Sequence, residues 1–250
     1  MLVAMLLASA LLVACGDDAD DAQVAQALRD SQAVRFDGAD GLRLAGRLFG
    51  PDDAAAGVAL AHGLSGDQSD WFVFADRLAG EGYRVLTFNF RGYCPGDEAG
   101  CSEGDRDIAS TPDDVRAAVA ELRAQGARRI AVVGSSMGGT AALIAAAAEG
   151  DDLEAVITLS APTSIDALAA GPDVLERIRA ATLFLAGTGD VTAAQAAEAF
   201  FNASAQPNRY LLLTTDDHGT AMLRGNQGEQ TRSEVLSWLG VHLAERETGS

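Results

Sequence analysis

The chain is poor in the residues that most chemistry needs. It has three histidines and three cysteines among 250 residues, and aromatic residues make up only 6%. Basic residues are scarce too: 18 Lys and Arg stand against 36 Asp and Glu, a formal net charge of −18. Nothing basic is concentrated anywhere, so nucleic acid is excluded as an expected partner. There is no His-Glu-x-x-His and no cysteine–histidine cluster of zinc spacing, so the sequence calls for no metal or cofactor. No apolar run is long enough for a spanning helix of about 20 residues; Met1 to Val13 is the nearest and falls short. No internal repeat and no second-domain linker is visible. What remains is an acidic chain, 48% hydrophobic, of a length that suits one α/β domain and a sizeable core.

The chain is organised around Arg128 to Ala142. Ile130-Ala131-Val132-Val133 is a short apolar run bounded by charge and reads as a buried strand. The Ala- and Leu-rich stretch after Gly139 reads as a helix. Between them lies Gly-x-Ser-x-Gly, Gly134 to Gly138, centred on Ser136. A strand that turns at once into a helix forces the serine into strained dihedrals, and glycines on either side let the two elements approach. Ser135 is not a rival, because Val133 and Met137 stand where its glycines would have to be. The motif alone is weak; the strand before it and the helix after it give it weight.

Strand-like runs recur along the chain: 33–36, 42–48, 57–61, 83–88, 130–133, 155–159, 181–186 and 209–213. Helical spacing falls at 71–80, 112–126, 173–179, 195–201 and 229–244, with Thr111 as a candidate N-cap. The first two strands flank Asp37-Gly38-Ala39-Asp40-Gly41 and read as a hairpin. The alternation that follows predicts a mostly parallel sheet of about eight strands with helices on both faces. Residues 16–30 are Asp- and Ala-rich and read as a solvated tether or a frayed helix; the folded domain is expected from about Gln32 to the C-terminus, 32–250.

A serine hydroxyl needs a base and a group to orient that base. Of the three histidines, His242 falls in the last helix and is expected to be solvated. His62 ends an early strand. His218 lies in the loop after the last strand, at a carboxyl end where catalytic groups collect, and is the candidate base. The candidate acid is Asp190, just past Phe184-Leu185, with a turn or N-cap aspartate as its bland reading; Asp166 is the fallback. Asp216 and Asp217 are too near His218 in sequence to be favoured.

These residues resemble the α/β-hydrolase superfamily of serine hydrolases over Gln32 to about Ala244. Ser136, Asp190 and His218 stand in that family's Ser…Asp…His order. His62-Gly63 resembles its His-Gly segment. Phe90-Arg91-Gly92-Tyr93…Ser102-Glu103-Gly104 resembles its Arg-Gly-x-Gly-x-Ser segment, interrupted by Cys94 to Cys101. The resemblance implies the α/β-hydrolase fold and carboxylic ester hydrolysis through an acyl-enzyme. It also implies an oxyanion hole from the backbone N–H groups of Leu64 and Met137, with His62 structural. Thioester or peptide cleavage on the same triad is the alternative, and an inactive envelope binding protein is the alternative of another class. Only residues 160–180 are available for a lid, room for one helix and a loop, so short or exposed acyl substrates are expected. A monomer is expected.

Leu12-Val13-Ala14-Cys15-Gly16 resembles the lipobox of bacterial lipoproteins, with 1–14 as signal peptide and 15–31 as tether after a lipidated Cys15. That resemblance implies export, with the chain attached to the membrane at the cell envelope by its lipid anchor. No Lys or Arg lies between Met1 and Cys15, a departure from the usual signal. An ordinary secretory signal or a disordered apolar start is the other reading. With Cys15 set aside, Cys94 and Cys101 remain in one loop; export into an oxidising compartment predicts a disulfide, against two free thiols.

Overall fold

The computed structural model describes residues 17–245. The signal and lipobox readings on Met1 to Gly16 lie outside the described residues. The elements run α1 (Asp17–Arg29), β1 (Ser31–Asp37), β2 (Arg43–Phe49), β3 (Ala56–Ala61), α2 (Phe72–Gly80), β4 (Arg84–Phe88), α3 (Thr111–Ala124), β5 (Arg129–Ser135), α4 (Met137–Glu149), β6 (Ala155–Leu159), β7 (Ser164–Ile165), β8 (Leu168–Ala169), α5 (Pro172–Leu175), β9 (Ala181–Gly187), α6 (Val191–Ala203), β10 (Asn208–Leu213) and α7 (Gly228–His242). Eight strands form one sheet in the order β1-β2-β4-β3-β5-β6-β9-β10. β1 and β4 each pair antiparallel to β2, and all other neighbours are parallel. This is the α/β-hydrolase fold, with the N-terminal hairpin at one edge.

The core is in two layers because strand side chains alternate in direction. On β3, Ala59 and Ala61 face one cluster with α3, α4 and α6, while Val58 and Leu60 face the other with α2 and α7. On β5, Ile130 and Val132 face the first, Ala131 and Val133 the second. Both faces of these strands are covered, so they read as continuous apolar runs. α4 is small and apolar along most of its length, and most of its residues are buried.

Three local expectations are revised. The acidic stretch forms α1, and its last turns pack: Ala27 is fully buried and Val24 and Leu28 lie against the core. Arg47 closes the end of α1 by donating to the Leu28 carbonyl. Thr111 is not an N-cap but the first residue of α3, its hydroxyl donating back to Ile108. The segment between β6 and β9 carries the β7–β8 hairpin and only a four-residue helix, α5, where one longer helix was expected. Its apolar residues, among them Leu168, Val174, Leu175 and Ile178, are buried against the core.

Candidate functional site

Ser136 sits between β5 and α4 at φ 49°, ψ −119°. A non-glycine residue held there costs about 1–3 kcal/mol, so the surroundings must enforce it. They do so by close packing. A Cβ on Gly134 would lie 2.4 Å from the Gly138 oxygen, and one on Gly138 would lie 2.4 Å from the His62 oxygen. No side chain fits at either position, so the strand end, the helix start and the end of β3 close up together. The Ser136 N–H donates to Leu159 on β6 at 2.8 Å, tying the turn to the neighbouring strand.

Asp190 caps α6. Its Oδ1 accepts from the Ala193 N–H at 3.4 Å, and its Oδ2 lies 2.5 Å from His218 Nδ1. The capping role and the histidine contact thus belong to one side chain, one oxygen for each. Asp190 is mostly buried and His218 half-exposed, with side chains 16% and 53% accessible. The loops after β9 and β10 are fastened together by Thr188 N–H to Leu213 and Gly189 N–H to Thr215. The His218 loop lies over the elbow: a Cβ on the adjoining Gly219 would come 2.3 Å from Ser135 Oγ. Asp166, the fallback acid, is exposed at φ 48° in the β7–β8 turn. The structure pairs His218 with Asp190 instead. Asp217 accepts from the Thr215 hydroxyl at 2.7 Å. A hollow of about 470 Å³ is walled by Thr188, Thr215, Asp216 and Asp217 among others; none of the candidate catalytic side chains lines it.

His62 is fully buried. Its Nδ1 lies 2.7 Å from the Gly63 oxygen, and its Nε2 accepts from the Phe90 N–H at 3.1 Å. The second contact makes Nε2 the acceptor, so the proton is on Nδ1. Burial pushes its pKa down from 6.5 to about 4, so the ring is neutral at ordinary pH. Phe90 and Tyr93 pack edge-on to it at 4.7 and 4.6 Å. Gly63 lies beside the elbow, its would-be Cβ 3.5 Å from Ser136 Cβ. Among the described residues, the N–H groups of Leu64 and Met137 donate to no protein acceptor. His242, expected to be solvated, is half-buried against Trp238 at 4.4 Å, and burial lowers its pKa.

The segment after β4 carries residues that sequence reasoning missed. Arg91 and Asp114 form a buried bidentate pair, and the Asp114 carboxylate also takes the Arg91 N–H. Asn89 accepts from the Gln68 N–H and donates to the Ala99 and Gly100 carbonyls. In sequence, Asp114 reads as an ordinary first-turn helix acid, and Asn89 and Gln68 carry no spacing signal. Cys94 and Cys101 are joined as a disulfide. The Ser102 N–H donates to the Tyr93 carbonyl at 2.9 Å, so residues 94–101 loop out and the chain rejoins behind them. Among the described residues no group of three or more His, Cys, Asp or Glu gathers as a metal site.

The alpha/beta hydrolase fold family matches residues 58–217, most of the chain, and the chain belongs to that family. Over 236 residues it is 25% identical to the uncharacterized protein YfhR of Escherichia coli O157:H7, taking in 84% of this chain and 80% of that one. Among solved structures it is similar to the Pyrococcus furiosus esterase Pf2001, with a TM-score of 0.73 at 18% identity, covering 88% of this chain and 94% of that chain. It is also similar to the esterase domain of a Rhodothermus marinus protein, with a TM-score of 0.67 at 22% identity, covering 86% and 100%. At these identities the structural likeness speaks for the fold.

Proposed function

We propose that the protein is a serine hydrolase that cleaves carboxylic esters through an acyl-enzyme. The observation that carries this reading is the 2.5 Å contact of His218 Nδ1 with Asp190, in a loop that overlies the Ser136 elbow. With Nδ1 engaged by the carboxylate, the His218 Nε2 is the nitrogen left to take a proton from Ser136. Ser136 attacks the ester carbonyl. Asp190 keeps the tautomer and stabilises the imidazolium, and His218 returns its proton to the leaving alkoxide. The Leu64 and Met137 N–H groups, free of protein acceptors and flanking the elbow, receive the oxyanion; one such donor is worth about 3–4 kcal/mol of barrier. Water then repeats the attack and releases the acid.

The small β7–β8 and α5 segment leaves little to cover an acyl chain, which favours short or exposed acyl groups. The two structural relatives named above are called esterases. The test is labelling with a fluorophosphonate serine probe, followed by turnover of p-nitrophenyl esters of graded chain length beside thioester and peptide substrates. Labelling of the wild type but not of Ser136→Ala, with fastest turnover on acetate or butyrate, is expected. A probe that labels neither chain refutes the reading and leaves a binding protein of this fold. We also propose that Cys15 carries a lipid anchor at the cell envelope, because of the Leu12 to Gly16 lipobox. Cys15→Ser should then leave the membrane fraction; unchanged partitioning overturns it.

A further inference from the structure

The oxyanion donor at Leu64 sits in a loop rather than in a helix, so something must fix its peptide planes. The carbonyl of the peptide that carries the Leu64 N–H is that of Gly63, and in a trans peptide the two point in opposite directions. His62 Nδ1 and the Gly66 N–H both bond this Gly63 oxygen, at 2.7 and 3.3 Å. That clamps the plane from one side. The next peptide plane begins at the Leu64 carbonyl, and it accepts from the Tyr93 hydroxyl at 2.8 Å. Leu64 therefore has both of its flanking planes held, while its side chain is 38% exposed and contributes little anchorage.

Tyr93 is itself unusually well fixed. Its side chain is buried, lies against His62, and has the Arg106 guanidinium 4.0 Å from its ring centre on the face. Its N–H donates to Phe90 and its carbonyl accepts from Ser102. The Cys94–Cys101 disulfide closes the looped-out residues directly next to that Tyr93–Ser102 contact. The cystine loop thus ends on the residue that holds the Leu64 carbonyl. Burial raises the phenol pKa above its ordinary value of 10, so the hydroxyl remains a donor throughout the working range.

We propose that Tyr93 is a positioning residue for ester hydrolysis: its hydroxyl, held at the neck of the Cys94–Cys101 loop, fixes the Leu64–Ser65 peptide plane, and together with the clamp on the Gly63 oxygen this keeps the adjoining Leu64 N–H aimed at the oxyanion. This rests on the serine hydrolase reading above. An amide held in place gains its strongest hydrogen bond when the carbonyl oxygen has become tetrahedral and charged, so the contribution is made in the transition state rather than in substrate binding.

The test is Tyr93→Phe, which deletes one oxygen and leaves the ring contacts with His62 and Arg106. Expected is a kcat about tenfold lower on p-nitrophenyl acetate, a fraction of the loss from removing a donor outright, with KM within about twofold. The inhibition constant for phenylboronic acid, which forms a tetrahedral adduct with the serine, should rise by the same factor as kcat falls. The melting temperature should stay near that of the wild type. Unchanged kcat and unchanged boronate inhibition overturn the proposal, and so does a change confined to KM, which would make Tyr93 a wall of the acyl site. Ser136→Ala is run alongside. If it keeps wild-type turnover, both this proposal and the serine hydrolase reading fall. If it is inactive while Tyr93→Phe matches the wild type, only the positioning role falls.

Discussion

His62 and His218 occupy equivalent places, each just past the carboxyl end of a parallel strand, β3 and β10. Their surroundings differ in every other respect. His62 has no exposed surface and spends both ring nitrogens on backbone partners, Gly63 and Phe90. His218 spends one nitrogen on a carboxylate and is half-exposed. A histidine whose two nitrogens are both committed inside the protein has nothing left with which to move a proton. One that is oriented through Nδ1 and open at Nε2 can do so. The same residue type at the same kind of position thus serves as scaffold in one loop and as the candidate base in the other.

The largest expected effect separates the two by opposite readouts. His218→Ala should lower kcat at least roughly a thousandfold with a melting temperature near that of the wild type, since little is buried there. His62→Ala should instead cost about 2–4 kcal/mol of stability, by opening a cavity among Phe90 and Tyr93 and leaving the Phe90 N–H unpaired. Urea unfolding and steady-state kinetics on both variants decide it; a His218→Ala enzyme of normal kcat would erase the distinction.

Asp190 allows a finer cut, because its two oxygens do different things. Asn is as good an N-cap as Asp, so Asp190→Asn should keep α6 intact yet lose about a hundredfold or more in kcat by disturbing the His218 tautomer. Asp190→Ala should add a stability loss of about 1 kcal/mol. Equal stability of the two variants would mean the cap contributes nothing.

The buried histidine also predicts a pH dependence. The folded pKa of His62 is about 4 against 6.5 for the ordinary side chain. The unfolded chain takes up the proton first, so the His62 contribution is fully present above pH 6.5 and is lost as pH falls towards 4. Over that window the wild type should lose roughly 3 kcal/mol more stability than His62→Gln, which has no group to titrate. Parallel stability profiles for the two chains would show that the ring is protonated where it stands.

The smallest effect concerns the cystine loop beside Tyr93. Reduction of Cys94–Cys101 should cost roughly 2–3 kcal/mol of stability by freeing a short ring in the unfolded chain. The Ser102 N–H still holds the Tyr93 carbonyl after reduction, so kcat should fall less than in Tyr93→Phe. Alkylation of the unreduced protein, read by mass spectrometry, checks that the bridge is present; two alkylated cysteines would remove this prediction.

Much of the scaffold was already legible in the chain. Apolar runs bounded by turn residues determined where the inner strands β3, β4, β5, β6 and β9 fall, because burial on both faces leaves no polar alternation to blur them, and the alternation of polar and apolar residues located the edge hairpin β1–β2. Gly134 and Gly138 marked the elbow around Ser136, because only a residue without a Cβ tolerates the 2.4 Å approaches found at those two positions. The order of Ser136, Asp190 and His218 named the candidate triad, since each follows a strand and strand ends are readable. What the sequence could not determine were contacts between parts of the chain that no local rule joins. These include the docking of α1 through Ala27 and the Arg91–Asp114 pair. They also include the run of contacts from the cystine loop through Tyr93 to Leu64. Hydrogen bonds across tens of residues depend on where tertiary packing brings two loops, and neither loop carries a periodicity that announces its partner.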